Sequence, residues 1–128
     1  MNSPITLDAL KVLDAIERKN SFAAAADELF RVPSAISYTV NKLEEELAVT
    51  LFDRSKRKAQ LTPAGKMIVE QGRLILRATD DLTHMAKQSA EGWELELRIC
   101  VDSILLFKPI YALIAEFQQQ YPWINIRV

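Results

Sequence analysis

The chain has 128 residues, 49% of them hydrophobic, which is enough apolar material for one small domain and part of another, while two complete domains are a tight fit. Its 16 basic and 17 acidic residues leave a formal net charge of −1, which excludes a uniformly basic surface, so any polyanion-binding patch has to be local. A single cysteine, Cys100, excludes an intrachain disulfide and points to a reducing, cytoplasmic setting, and no apolar run reaches the roughly 18 residues that a membrane span needs.

The first helix is expected to open at Thr6, a good N-cap, with Asp8 in the first turn where the macrodipole favours a carboxylate, and to run to Arg18. Leu10, Leu13 and Ile16, flanked by Ala9 and Val12, repeat at helical spacing and need a partner surface. Ser21 caps a second short helix, Phe22 to Phe30, whose inward face is Phe22, Ala25, Ala26 and Leu29. Pro33 suits the first position of a third helix, where its missing N–H costs nothing, and Ile36, Val40, Leu43 and Leu47 give that helix a core stripe up to Ala48. Two short helices joined by a tight turn form the helix-turn-helix pattern. Leu51-Phe52 and Ala59-Gln60-Leu61 then bracket a basic tip, Ser55 to Lys58, and read as a two-stranded wing.

Thr62-Pro63 marks a strong helix start, and the helix that follows is expected to reach Ala90, about 28 residues and roughly 42 Å long. Ala64, Ile68, Gln71, Ile75, Ala78, Leu82 and Met85 alternate spacings of 4 and 3 along it, as a coiled-coil seam does. After Glu91-Gly92 the pattern changes: residues 93–101 read as a strand, 103–120 as a helix with Pro109 in its early turns, and 123–128 as a second strand. A β-α-β unit belongs to a parallel sheet covered on both faces, so one crossover cannot complete its own core and the chain is expected to end inside a domain. The expected fold is mainly α. It comprises a winged helix-turn-helix (1–62), a linker and dimerisation helix (63–91) and a truncated β-α-β start of an α/β domain (92–128).

Three features carry functional signal. On the third helix Ser34, Ser37, Tyr38 and Asn41 project opposite the core stripe; they are either an ordinary solvated face or hydrogen-bonding groups for base edges in a major groove. Arg54, Lys56, Arg57 and Lys58 concentrate charge that phosphates would neutralise, although a solvated charge run has the same composition. Ile68, Ile75 and Leu82, interleaved with Gln71 and Ala78, would pair with a second copy or pack on the same chain. One histidine (His84), one thiol and three glycines offer no metal cluster, catalytic triad or phosphate loop, so no metal, cofactor or enzyme activity is expected. His84 reads as a surface or seam residue and Cys100 as a buried strand residue. The readings that remain are a double-stranded-DNA-binding dimer and a winged protein-interaction module with an oligomerisation helix.

The leading amphipathic helix, SFAAAADEL at 21–29, SAIS at 34–37 followed by KLEEEL at 42–47, and LFDRSKRKAQLTPAG at 51–65 resemble the LysR-type transcriptional regulators of bacteria. The resemblance runs ungapped from the first helix through the long one. It implies a homodimer on operator DNA, with tetramers and a small-molecule effector belonging to a full-length parent. By position it assigns Ser34, Ser37, Tyr38 and Asn41 to bases or nearby phosphates, and Ser21, Thr39 and Lys42 to the backbone. Arg54 and Arg57 match the family's wing arginines, and Ser103 matches a stretch that often contacts the effector. Where the family commonly has serine and glutamine, this chain has Val32 and Pro33, so the reading helix enters its DNA-facing stretch at Pro33 without a hydrogen-bonding side chain.

Overall fold

The computed structural model describes residues 2–102 and 107–128, in two units: one through Arg77 and one from Ala78 to Val128. The division falls inside the long helix.

The first unit is built on helices α1 (Leu7–Lys19), α2 (Phe22–Glu28) and α3 (Pro33–Leu47), followed by strands β1 (Phe52–Asp53) and β2 (Gln60–Leu61) and the beginning of helix α4 (Pro63–Ala90). Each helix start has a local cause. The Thr6 hydroxyl oxygen accepts from the Ala9 N–H at 3.0 Å, Ser21 from Ala24 at 3.1 Å, and Thr62 from Gly65 at 3.1 Å while donating to the Thr50 carbonyl at 2.7 Å. The second helix is shorter than its hydrophobic pattern suggests. Arg31 N–H reaches back to the Ala26 carbonyl at 2.9 Å and Phe30 N–H to Asp27 at 3.2 Å, a Schellman closure that puts Phe30 at φ 54° where glycine is usual. Ala48, at φ 52°, ends α3 in the same way.

Packing joins these pieces. Val12, Leu13, Ala15, Ile16, Ala25, Ala26, Ile36, Val40, Leu43, Leu51, Phe52 and Val69 are buried in one core, and each large side chain withdrawn from water contributes roughly 1.5–3 kcal/mol. Phe22 meets Phe52 edge-on at 5.2 Å. The wing ladder is short, with Phe52 opposite Leu61 and Asp53 opposite Gln60. One reason is that the Leu51 N–H leaves the ladder for the Glu44 carboxylate at 2.7 Å.

Outside the core a charge network ties α4 to α1 and α1 to α2. Asp14 accepts from Arg18 at 2.8 Å and from Arg73 at 2.7 Å; Arg18 also grips both oxygens of Glu28, and Arg73 reaches Glu17. Partial burial pushes the Asp14 carboxyl up, but hydrogen bonds from the two guanidiniums, together with their charges, hold it below the ordinary carboxylate value. A carboxyl lowered in the folded state stabilises the fold above its unfolded pKa, and that contribution is lost as pH falls through the folded value. Asp14→Asn is therefore expected to cost about 1 kcal/mol at neutral pH, a Tm loss of roughly 4–8 °C, and nearly nothing once the medium is acid enough to protonate Asp14 in both states. Thermal melts of both chains across that range check it; a gap that persists unchanged into acid would show that Asp14 acts through packing.

In the second unit β3 (Glu96–Arg98) and β4 (Asn125–Arg127) pair in parallel, Glu96 opposite Asn125 and Arg98 opposite Arg127, on either side of helix α5 (Phe107–Gln120). This is the β-α-β order, with each strand shorter than its hydrophobic run. Gly92, at φ 84°, follows α4 in the left-handed region, as Asn20, Phe30 and Ala48 do after α1, α2 and α3, and glycine is the residue that conformation prefers. Trp123 stacks on His84 with ring centres 4.5 Å apart and donates its indole N–H to Gln88; Trp93, Phe117 and Tyr121 complete the aromatic cluster. Cys100 is exposed, contrary to its expected burial as a strand residue. It lies beyond Arg98, the last paired residue of β3, and among the described residues β3 has only β4 as a neighbour, so no further strand covers it. No described helix is long and apolar enough to cross a membrane.

Candidate nucleic-acid interface

Helix α3 turns one face into the core through Ile36, Val40 and Leu43, and periodicity then decides what faces outward. Ser34, Tyr38, Asn41 and Lys42 are exposed, with Tyr38 at 67%, while Ser37 and Thr39 are half-buried. Pro33 stands exposed at the start of the same helix. These groups are not equally available. The Thr39 hydroxyl donates to the Ala35 carbonyl at 3.1 Å, so only its oxygen lone pairs face outward. Ser21 is the reverse case: its oxygen caps α2, and its hydroxyl proton remains to be donated.

Arg54 is separated from the other wing cations by its partners. Its guanidinium donates to Asn41 Oδ1 at 2.9 Å and to Glu44 Oε1 at 3.3 Å, and lies 5.9 Å from the centre of the Phe22 ring. The bond to Asn41 occupies an acceptor position and turns the Asn41 amide N–H groups outward, so Asn41 is presented mainly as a donor. Glu44, with Leu51 and Phe52 N–H on one oxygen and Arg54 on the other, is the tie between α3 and the wing. In the sequence Glu44 is marked only as the first of three consecutive glutamates and the one adjacent to Leu43 of the core stripe.

At the wing tip Asp53 Oδ1 accepts from the Ser55 hydroxyl at 2.6 Å and from its N–H at 2.9 Å. The Ser55 hydroxyl bond, then the backbone bond, hold the Asp53 carboxyl below the usual carboxylate range, so the turn is fixed by an ionised side chain. Lys56, Arg57 and Lys58 follow it and are all exposed.

The long helix packs on the first unit through Gly65, Val69 and Gly72. Ala64 and Ile68 are half-buried against that core, whereas Met67, Gln71, Leu74 and Ile75 are exposed; in the second unit Ala78 and Leu82 are exposed and Met85 half-buried. Met67 and Leu74, each 54% exposed, were not in the expected seam. Ser103 lies outside the described residues.

Residues 7–66 match the family described as bacterial regulatory helix-turn-helix protein, lysR family. The chain is 53% identical over 110 residues to the HTH-type transcriptional regulator YhaJ of Escherichia coli O157:H7 and 41% identical over 120 residues to the HTH-type transcriptional regulator PunR of Escherichia coli (strain K12). It spans 37% and 39% of the lengths of those two relatives, with 86% and 94% of its own residues aligned. Among solved structures, the BenM_DBD/catB site 1 DNA complex matches 70% of this chain and 100% of its own, at 30% identity and a TM-score of 0.66. Full-length BenM matches 96% of this chain and 40% of its own, at 28% identity and a TM-score of 0.70. With the winged helix-turn-helix already evident in the first unit, these likenesses settle the relationship: the chain belongs to the lysR family of bacterial regulatory helix-turn-helix proteins.

Proposed function

We propose that this chain is the DNA-binding part of a cytoplasmic transcriptional regulator, a homodimer that lays two copies of α3 in major grooves of double-stranded operator DNA and sets each wing on flanking phosphate. The observation that carries this reading is a hydrogen-bonding face on α3, Ser34, Ser37, Tyr38 and Asn41, tied through the Arg54–Asn41 hydrogen bond to a wing whose following cations Lys56, Arg57 and Lys58 are all exposed. Ser21, Thr39 and Lys42 hold backbone at the edges of that face. Arg54 acts through Asn41 and Glu44, fixing the wing against the reading helix. The dimer is made along α4 by Gln71, Ile75, Ala78 and Leu82, with Ile68 and Met85 at the ends. Small-molecule sensing belongs to the full-length parent, and Ser103 is proposed to serve it.

Replacing Lys56, Arg57 and Lys58 together by alanine tests the assignment. Each lost phosphate contact lowers the slope of log affinity against log salt by about 0.9, so the triple variant is expected to lose up to roughly 2.7 from that slope. Its affinity should fall about 10- to 100-fold on selected and random duplexes alike, because phosphate contacts carry no sequence information. Asn41→Ala, in contrast, is expected to change which duplexes are recovered from a random pool. Failure of the unsubstituted chain to bind any duplex near 50 mM salt would leave the protein-interaction reading in its place.

A further inference from the structure

The turn between α2 and α3 shows apolar side chains to water where the fold has no use for them. Phe30 is 97% exposed and Val32 62% exposed, and Pro33 beside them is also exposed. Two of these residues also act against the stability of their own backbone. Phe30 occupies the left-handed region at φ 54°, which a bulky side chain rarely adopts. Val32 is the N-cap of α3 yet supplies no capping hydrogen bond, a position where serine, threonine, aspartate or asparagine is preferred. Arg31, between them, is clamped by both its outer nitrogens to the Asp8 carboxylate of α1, so the flanking apolar groups are held on a pinned turn. Locally unfavourable choices that surrounding structure holds in place are characteristic of sites that serve a partner.

The surroundings say which partner. Lys42 further along α3, and Lys56, Arg57 and Lys58 on the wing that Arg54 ties to α3 at Asn41, supply the charge of a polyanion binder. The tip stands at the N-terminal end of the helix proposed to read bases, the part of a reading helix that goes deepest. On the floor of a major groove the base edges are dominated by donors and acceptors, and the only methyl group presented there is the C5-methyl of thymine. Phosphates and sugars give an apolar side chain no comparable contact.

We infer that Phe30, Val32 and Pro33 form an apolar reading tip that packs against thymine methyl groups, replacing by methyl contact the hydrogen-bond readout that serine and glutamine would have supplied at 32 and 33. This rests on the DNA-binding reading above. Its test is chosen to fail separately from that reading.

A duplex recovered from a random pool with the unsubstituted 128-residue chain is remade with deoxyuridine in place of thymidine in the half-sites, which deletes the methyl groups and leaves every hydrogen-bonding atom. Affinity, read by fluorescence anisotropy, is expected to fall about fourfold for each methyl group contacted. The chain carrying Val32→Ser and Pro33→Gln should bind thymidine and deoxyuridine duplexes more nearly equally. Phe30→Gly should melt at a higher temperature, because glycine suits that backbone, while binding the thymidine duplex more weakly. Equal affinity of the unsubstituted chain for the two duplexes overturns the reading tip and leaves DNA binding standing. No binding of either duplex overturns both. A Phe30→Gly chain that binds the thymidine duplex undiminished removes Phe30 from the tip.

Discussion

Gly65→Ala is expected to destabilise the first unit by about 3 kcal/mol and lower its Tm by roughly 12–24 °C. A Cβ at Gly65 would lie 2.3 Å from the Leu51 carbonyl oxygen, 3.2 Å from the Leu51 carbonyl carbon and 2.9 Å from Leu61 Cδ2. The first two are backbone and cannot rotate away. Leu51 is fully buried, donates to Glu44 and accepts from Thr62 N–H at 2.9 Å, so shifting it loosens the wing from α3 and α4 from the wing together. Gly72 is the control, on the same face of the same helix. Its added Cβ would meet only the Leu10 side chain, at 2.8 Å from one terminal carbon and 3.5 Å or more from the other atoms in reach. Leu10 can move, and alanine brings a helix-propensity gain of about 1 kcal/mol over glycine, so Gly72→Ala is expected to change stability by less than about 1 kcal/mol. Circular-dichroism melts of the two variants decide it: equal losses would mean that α4 does not approach Leu51 as closely as this packing requires.

The same two glycines show why part of the structure was legible in the sequence and part was not. Starts were legible because polar caps and prolines announce them chemically: Thr6, Ser21, Pro33 and Thr62-Pro63 all do what their types predict. Ends were less consistently legible: α3 was expected to reach Ala48 and stops there, although alanine is not favoured in the left-handed conformation. Gly92 marked the end of α4 correctly, while Phe30, holding the same conformation, was read as helix. The face by which α4 packs on the first unit was hidden for a related reason. Two of the three buried residues by which α4 packs on the first unit are glycines, which add nothing to a hydrophobic pattern, so the heptad was drawn through Ala64 and Ile68. Those two are half-buried against the core, and Met67 and Leu74 stand exposed. In the interface the residue types on α3 were readable from spacing, but the partners were not. The roles of Glu44 and Arg54 depend on the wing folding back over α3, a tertiary event that local periodicity does not encode.

Ile75→Glu combined with Leu82→Glu is expected to convert the proposed dimer to a monomer and to weaken binding of a two-half-site duplex by a factor of about 10² to 10⁴. Ile75 is 48% exposed and Leu82 63% exposed in the single chain, so glutamate at either place is solvated and the monomer fold should melt as before. Only in a paired α4 would those carboxylates be driven into an apolar seam, where an unpaired charge costs several kcal/mol. The DNA consequence follows from tethering. A dimer presents its second reading helix at a high effective concentration to a half-site one helical turn, about 34 Å, or a multiple of it away; a monomer has to bind each half-site independently. The affinity for a duplex carrying one half-site should therefore be unchanged by the substitutions, which separates loss of pairing from damage to the reading face. Inserting about five base pairs between half-sites, half a turn, should cost the unsubstituted chain a comparable factor and cost the glutamate variant nothing. Solution mass by sedimentation and duplex titrations give all three results. A variant that remains dimeric puts the pairing surface elsewhere on the chain, and a monomeric variant with undiminished two-site affinity shows that α3 and the wing bind without the help of a second copy.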